Sequence, residues 1–473
     1  MLFSSFLTLL VFSTFTSYST KDIKLNMTNH SIMLNRLGIM SIMFVLILLI
    51  NSINLISLVP GMTMFNNWFN FSSYNMPLMM LILMLMISLL MYNTFSTINK
   101  FNMSSPYLII LVMTNIMGLL LFPLVNDLIS LYIVIELQSY SLYLLTGLHN
   151  RSYNASRASL LYFLMGGIAS AIILLASYFI YNYTGSTNLT DIILFNNFNN
   201  NGNVNDYFNI LLMALLFKMG LAPLHRWSIA VYNYAPTYMT SYMSMVAKMS
   251  IASWIYTNSN LFNNDMLLMF FYMSLFMGSY KPLFQMNMKT MTAYSGLLNF
   301  GYMMLSMMTF DMSFYMYMMQ YTLTHMMLFL GLLAANNYME KPMSKWSPMM
   351  YMHQLKLPNK TLMMCLMLAL FSLMGMPPLP GFYAKLYMLS SALQDNYMLE
   401  TLLLIVCSVM ATYYYANMIK MLSSELLNNN NNYMNNNYMN PVLAYTIIVS
   451  TLLLMSFFMF LPHISEGLYL MTM

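Results

Sequence analysis

The chain has 473 residues, of which 60% are hydrophobic and only 6% are charged, and its formal net charge is +5. A soluble domain carries roughly 25% charged residues, so this composition excludes an ordinary soluble enzyme and a basic nucleic-acid-binding domain. Repeated apolar stretches of about 20 residues predict an all-α polytopic membrane protein instead.

The apolar stretches predict about fourteen transmembrane helices in a single membrane domain covering residues 1–473. The first stretch has no basic segment and no cleavage site before Lys21, so we expect a retained helix and not a signal peptide. Low-complexity polar segments at 196–206 and 428–440 are predicted to be solvated loops. The predicted spans, numbered one to fourteen, cover 2–19, 37–59, 76–95, 106–125, 128–148, 155–181, 208–231, 235–258, 264–279, 288–309, 312–335, 360–392, 397–420 and 441–461.

Basic residues are confined to alternate loops. Of the 17 Lys and Arg residues, all except Lys218, Lys248 and Lys385 fall in loops after odd-numbered spans or beside them, and the other loops hold only acids. Because basic loops remain on the cytoplasmic or matrix side, we expect both termini on the opposite side. The basic loop residues are Lys21, Lys24, Arg36, Lys100, Arg151, Arg157, Arg226, Lys281, Lys289, Lys341, Lys345, Lys356, Lys360 and Lys420.

Four charged residues lie deep inside predicted spans, away from the loops: Glu136 in span five, Lys218 in span seven, Lys248 in span eight and Lys385 in span twelve. A charge at the bilayer centre costs roughly 2.5–3.5 kcal/mol, so such residues indicate function. A static ion pair is the alternative for Glu136 and Lys218, and snorkelling is the alternative for Lys385. Three bases against one acid favour a proton relay, because a buried lysine can release and regain a proton.

Two histidines are weaker candidates for an auxiliary role in this relay. His225 and His325 suit proton transfer because imidazole titrates near pH 6.5, but either can equally be a hydrogen-bonded core residue. Cys365 and Cys407 fall in apolar spans and are expected to be core residues. The sequence has no CxxC, no paired-His zinc spacing and no glycine-rich phosphate loop, so it predicts no metal or cofactor site.

Two spans contain helix-breaking residues. Span seven includes a Gly and a Pro between Lys218 and Trp227, and span twelve includes three Pro between Gly375 and Lys385. Proline removes an amide donor, so both helices should break. The breaks fall at corresponding positions of spans 4–8 and 9–13, which is typical of inverted transporter repeats. We therefore predict an N-terminal three-helix extension (1–100), a first repeat (106–258), an inverted second repeat (264–420), and a C-terminal helix and tail (441–473).

Five motifs in this order carry a family resemblance: IELQSYS at 135–141, KMGLAPLHRW at 218–227, VYNYAP at 231–236, KTMTAYSG at 289–296 followed by GYMML at 301–305, and GMPPLPGFYAK at 375–385. Over roughly 100–420, the chain resembles the subunit 2 family of mitochondrial NADH:ubiquinone oxidoreductase (complex I), whose bacterial counterpart is the N subunit. The resemblance implies an antiporter-like fold with Glu136, Lys218, Lys248 and Lys385 on the proton path. Arg157 stands where that family often has lysine.

The resemblance also implies the setting of the chain. We expect a pump subunit of the enzyme, with NADH, FMN, iron–sulfur clusters and ubiquinone bound by other subunits. Expected partners are other membrane-arm subunits, including neighbouring antiporter-like ones, together with lipids and no nucleic acid. The 61 Met residues favour a code in which AUA encodes Met, and hence a mitochondrially encoded chain of the inner membrane with both termini in the intermembrane space.

Two other functions remain open at this point. A stand-alone Na⁺ or K⁺/proton antiporter would use the same buried residues. A structural spacer subunit of the membrane arm is the other alternative, but a spacer has no need of lysines inside its spans.

Overall fold

The computed structural model describes residues 1–18, 24–52, 61–95, 107–148, 152–199, 203–309, 312–335, 352, 357, 359–424 and 441–472. These residues are overwhelmingly helical, which confirms the predicted all-α membrane class. The helices are α1 Leu2–Tyr18, α2 Lys24–Ser52, α3 Met76–Phe95, α4 Leu108–Leu121, α5 Leu128–Gly147, α6 Tyr153–Thr184, α7 Leu189–Asn199, α8 Asn203–Met219, α9 Arg226–Tyr234, α10 Thr237–Tyr242, α11 Lys248–Thr257, α12 Asn264–Tyr280, α13 Met288–Met308, α14 Ser313–Ala335, α15 Lys360–Met374, α16 Pro380–Gln394, α17 Met398–Ser423 and α18 Pro441–Thr472.

Eight helices in the described part of the chain are long and apolar enough to cross a membrane: α2, α3, α5, α6, α12, α14, α17 and α18. Among them α14 is the most enclosed, with 89% of its most apolar stretch buried by other parts of the protein. A helix in that position presents little surface to lipid, so its polar residues face other helices. The count of fourteen spans and the side on which the termini lie stay predictions.

Both predicted helix breaks are confirmed. Span seven is divided into α8 and α9, and span twelve into α15 and α16. Gly220 follows α8 with φ +68°, and Gly375 follows α15 with φ +90°. Glycine adopts this left-handed conformation without the steric cost that a side chain would bring.

Span eight is more irregular than the uniform helix that hydropathy predicts. A π-helix at Met243–Ala247 separates α10 from α11. Such a turn is rare and occurs mostly at functional sites. It brings the chain into α11 at Lys248, one of the four residues selected from the sequence.

The structure corrects one loop prediction. The segment that begins at residue 196 was predicted to be a loop, but α7 extends to Asn199 and α8 starts at Asn203. The side-chain oxygen of Asn188 accepts the amide hydrogen of Thr190 at 3.2 Å and so initiates α7. The second polar segment, 428–440, and the basic loop residues Lys21, Lys100, Arg151, Lys341, Lys345 and Lys356 lie outside the described residues.

A β-hairpin occupies a stretch for which no strand was predicted. Its strands are β1 Met62–Met64 and β2 Phe69–Phe71, paired antiparallel. Its turn is fastened to the start of α5: the carbonyl of Trp68 accepts from the amide of Asn126 at 2.9 Å and from the hydroxyl of Ser130 at 3.2 Å. The side-chain amide of Asn126 donates to the carbonyl of Asn67 at 3.2 Å.

The chain divides into two compact units. The first unit comprises Met1–Met219 and Val246–Met266, and in it α6 packs against both α5 and α8 while α11 contacts α3 and α8. The second unit comprises Gly220–Met245 and Leu267–Met471, and in it α14 packs against α10, α13, α15 and α16. The predicted repeat boundaries are a different division and stay a prediction.

Candidate functional site

In the first unit, α5 and α8 bring Glu136 and Lys218 together. The ammonium of Lys218 lies 3.7 Å from Oε1 of Glu136, and their side chains are only 9% and 14% exposed. This is the one ion pair among the described residues. Its separation exceeds the roughly 2.7–2.9 Å of a charge-assisted hydrogen bond, so the two charges attract each other without being locked together.

Local structure favours a charge at each of these positions. Lys218 is in the last turn of α8, where free carbonyl groups stabilise a cation. The hydroxyl of Ser139, one turn after Glu136, donates to Oε2 of that carboxylate at 3.3 Å. A hydroxyl on the carboxylate and a helix end beside the ammonium give both groups a second stabilising contact.

A chain of buried polar groups crosses the first unit beside the pair. The side-chain amide of Gln138 donates to the backbone carbonyl of Gly118 on α4 at 2.8 Å. The backbone carbonyl of Gln138 accepts from the side-chain amide of Asn115 at 3.0 Å. On its other side, the hydroxyl of Ser250 on α11 lies 3.5 Å from Oε1 of Gln138. Gln138 is two residues after Glu136, and Ser250 is two residues after Lys248. This contact therefore connects α5, which carries Glu136, with α11, which carries Lys248.

Lys248 is 5% exposed and begins α11 directly after the π-helix. The structure thus places three of the predicted relay residues, Glu136, Lys218 and Lys248, in the first unit. The fourth, Lys385, lies in the second unit.

Lys385 is held by backbone carbonyl groups in the break of span twelve. Its ammonium donates to the carbonyls of Leu373 and Met374, at 3.2 and 3.1 Å, which are at the end of α15. It also lies 5.7 Å from the ring centroid of Tyr302. The ammonium of this partly buried lysine is thus bonded to backbone groups at the break between α15 and α16.

His325 lies on the enclosed helix α14 and is 1% exposed. Its Nε2 is 3.4 Å from the side-chain amide nitrogen of Asn299 on α13. The hydroxyl of Tyr317 donates to the side-chain oxygen of the same Asn299 at 2.9 Å, and the ring of Tyr321 lies 4.2 Å from the imidazole. His325 is therefore part of a buried polar group, which we name the Asn299 cluster: Asn299, Tyr317, Tyr321 and His325.

The sequence prediction included His325 but not its partners in the Asn299 cluster. A pattern in the sequence could have identified two of them, because Tyr317, Tyr321 and His325 are four residues apart and so share one face of α14. Asn299 carries no such pattern. Its role depends on the packing of α13 against α14.

His225 lies in the break between α8 and α9 and has a different environment. Its Nδ1 is 3.2 Å from the carbonyl of Pro223, and its ring is 6.0 Å from that of Tyr294. These contacts hold the residue at the start of α9. Its predicted auxiliary role in proton transfer stays a prediction.

The prediction for Lys289 was wrong. It was counted with the basic loop before span ten, although that span was predicted to begin at residue 288. It is the second residue of α13 and is 7% exposed. Its ammonium donates to the carbonyl of Ala235 at 2.8 Å. The predicted start of span ten at residue 288 agrees with the start of α13, so the feature that hydropathy did not show is the burial of the Lys289 side chain.

Cys365 and Cys407 are free thiols and are partly buried. Within the described residues, no three His, Cys, Asp or Glu side chains are placed to hold a metal ion.

Comparison with known proteins identifies the family. A family model described as NADH:quinone oxidoreductase/Mrp antiporter, TM, matches residues 125–412. The chain is 60% identical to NADH-ubiquinone oxidoreductase chain 2 of Debaryomyces hansenii over the full length of both, and 46% identical to the protein of that name from Candida albicans, covering 98% of this chain and 95% of the relative. A chain of respiratory complex I from Thermus thermophilus, solved with bound aureothin, has the same fold, with a TM-score of 0.77 at 19% identity over 99% of this chain and 98% of that one. The chain therefore belongs to the family of antiporter-like transmembrane subunits of NADH:quinone oxidoreductases and Mrp antiporters.

Proposed function

We propose that the chain is a proton-translocating subunit in the membrane arm of a mitochondrial respiratory NADH:ubiquinone oxidoreductase. The names of the two yeast relatives and the family model support the assignment to this enzyme. The observation that carries the transport function is the buried pair of Glu136 and Lys218, separated by 3.7 Å beside a broken helix. A subunit that only spaced its neighbours apart would gain nothing from this costly arrangement.

The pair can couple a proton to an electrostatic change. A proton on Glu136 neutralises the carboxylate and removes the attraction that stabilises the ammonium of Lys218. Burial then favours the neutral amine, so Lys218 releases a proton. When Glu136 then loses its proton and Lys218 takes one up, the charge pair forms again and the cycle can repeat.

The energies involved are of matching size. Moving one charge against 100 mV requires about 2.3 kcal/mol. Removing one partner from a buried pair costs about 3–5 kcal/mol. Making and breaking one such pair can therefore store enough energy for one proton transfer across a membrane potential.

Lys248 and Lys385 complete the proposed path, with His225 and His325 in auxiliary roles. The contact between Ser250 and Gln138 supports Lys248, since it ties α11 to the helix that carries Glu136. The carbonyl groups of Leu373 and Met374 support Lys385, since they hold its ammonium inside the break of span twelve. Lateral transfer from Lys248 toward Lys385, with proton release near Lys385, remains part of the proposal.

The redox chemistry belongs to other subunits in this proposal. NADH, FMN, iron–sulfur clusters and ubiquinone would be bound elsewhere in the complex, and their reaction would drive the change at Glu136 electrostatically. The partners are the other membrane-arm subunits and the lipids of the inner membrane, with both termini in the intermembrane space.

The experiment is a purification followed by a pumping assay. The chain should co-purify with the redox subunits, and the complex should be reconstituted in liposomes with Glu136→Gln or Lys218→Met. We expect fewer protons pumped per NADH oxidised in both variants. Asp191→Asn is the control, because that acid is exposed on α7. A wild-type proton ratio in both variants, with the control also normal, rejects the proposed function.

A stand-alone Na⁺ or K⁺/proton antiporter is the second candidate, because the matching family model also covers Mrp antiporters. It predicts cation-dependent proton exchange by the purified chain in liposomes. Exchange without any redox subunit present would favour it over the first proposal.

A further inference from the structure

Lys289 is a buried cation that the proposed relay does not use. It is 7% exposed and lies in the first turn of α13, after the N-cap residue Asn287. The free backbone N–H groups of a helix start carry partial positive charge, so this is an unfavourable place for an ammonium group. Burial adds a second penalty to the charged form.

The partner of Lys289 is a backbone carbonyl. Its Nζ donates at 2.8 Å to the oxygen of Ala235, which is the C-cap residue of α9. Carbonyl groups at the end of a helix lack partners within that helix. Among the described residues the sole ion pair joins Glu136 and Lys218, so no described carboxylate forms an ion pair with Lys289.

A carbonyl partner has a specific consequence for protonation. The bond to Ala235 requires one N–H group, which a neutral amine still supplies, although it is a weaker donor than an ammonium. A lysine paired with a carboxylate loses its main attraction when it loses its proton. Lys289 can lose a proton and keep its position.

Residues at the surface of the protein precede Lys289 in the chain. Phe284 and Met286 are 67% and 76% exposed, and Lys281 is also exposed. The chain therefore passes from the surface to a buried position within three residues, between Met286 and Lys289.

We propose that Lys289 is a further proton-exchanging residue of the second unit. Its ammonium gives one proton to a water molecule, which leaves a neutral amine and a hydronium ion, and the amine regains a proton from hydronium in the reverse step. The bond to Ala235 persists throughout, so the end of α9 stays attached to α13 in both states. This inference rests on the proposed proton-pumping function and adds a residue to its path.

Two substitutions separate proton exchange from a structural role. Lys289→Gln keeps an N–H donor for Ala235 but cannot exchange a proton. Lys289→Arg keeps the positive charge and the donors but stays protonated. Lys281→Gln is the matched control, because it removes an exposed lysine from the segment just before α13. All variants are compared in the assembled complex, with assembly measured on native gels and proton pumping measured in liposomes.

We expect both Lys289 variants to assemble and to pump more slowly than the wild type by on the order of tenfold, which equals about 1.4 kcal/mol in the barrier. The Lys281→Gln control should pump normally. Wild-type pumping by the Gln or the Arg variant would overturn the inference, and failure of both variants to assemble would do so too, because Lys289 would then be needed for folding alone. Glu136→Gln, measured in parallel, distinguishes this inference from the proposed function. Normal pumping by Glu136→Gln would contradict the proposed function. Impaired pumping by Glu136→Gln together with normal pumping by Lys289→Gln would contradict this inference alone.

Discussion

The ammonium of Lys385 donates to the carbonyl of Met374 at 3.1 Å, so a side chain of α16 caps the end of α15 across the break that separates them. The negative end of a helix stabilises a nearby cation by roughly 0.3–1 kcal/mol, and by about 2 kcal/mol when partly buried. The two halves of the broken span are therefore joined by the same residue that we place on the proton path.

Lys385→Met should remove the cap at the end of α15 and should also impair proton pumping. Loss of the charged donor leaves two carbonyls at the end of α15 without their partner, which should lower stability by about 1–3 kcal/mol. Proton pumping per NADH oxidised should also fall. Thermal unfolding and a liposome assay measure the two effects, with Lys360→Met as control, since that lysine is exposed at the start of α15. Unchanged pumping would remove Lys385 from the path.

Gly375→Ala should disturb Lys385 without changing any charged residue. Gly375 has φ +90°, which costs a non-glycine residue roughly 1–2 kcal/mol. A Cβ at this position would lie 3.3 Å from Cδ and 3.4 Å from Nζ of Lys385, so the lysine would have to move. We expect a lower unfolding temperature and slower pumping.

The matched control for this variant is Gly167→Ala. A Cβ at Gly167 meets no atom within 4 Å, and alanine favours the helix. The control should therefore be neutral or slightly stabilising. Equal loss in both variants would show that the effect has nothing to do with Lys385.

Asn299→Leu should disrupt the Asn299 cluster. The substitution leaves the hydroxyl of Tyr317 buried without its acceptor, at a cost of about 1–3 kcal/mol. It also removes the contact with Nε2 of His325, so pumping should slow if His325 has its proposed auxiliary role. The unfolding temperature and the pumping rate are the two measurements.

The double variant Asn299→Leu with Tyr317→Phe tests the hydrogen bond itself. Phenylalanine removes the hydroxyl that donates to Asn299, so no buried hydroxyl is left without an acceptor. The double variant should therefore recover part of the stability that Asn299→Leu loses. A coupling energy of about 0.5–3 kcal/mol is expected for residues in contact. Additive effects of the two substitutions would mean that the bond contributes nothing to stability.

The sequence predicted those parts of the site that depend on local chemistry. Charges inside apolar runs and prolines inside helices are visible in the sequence, so Lys218, Lys385 and both breaks could be located. The pairing of Glu136 with Lys218 was anticipated for the same reason, because one acid stood among three bases.

Other parts of the site depend on tertiary packing, which the sequence does not display. Hydropathy gives Tyr317 the same value whether it faces lipid, water or another helix, so the Asn299 cluster was missed. Lys289 became buried because the end of α9 packs against the start of α13. The π-helix before Lys248 was missed because no residue type marks such a turn.

The β-hairpin gives the helix of Glu136 a mechanical attachment. Trp68 in its turn is bonded through its carbonyl to Asn126, just before α5, and to Ser130, within the first turn of α5. A shift of α5 along its axis has to carry the hairpin with it or break these bonds. The indole of Trp68 is 41% exposed, so its fluorescence should register displacements of the helix that carries the acidic member of the ion pair.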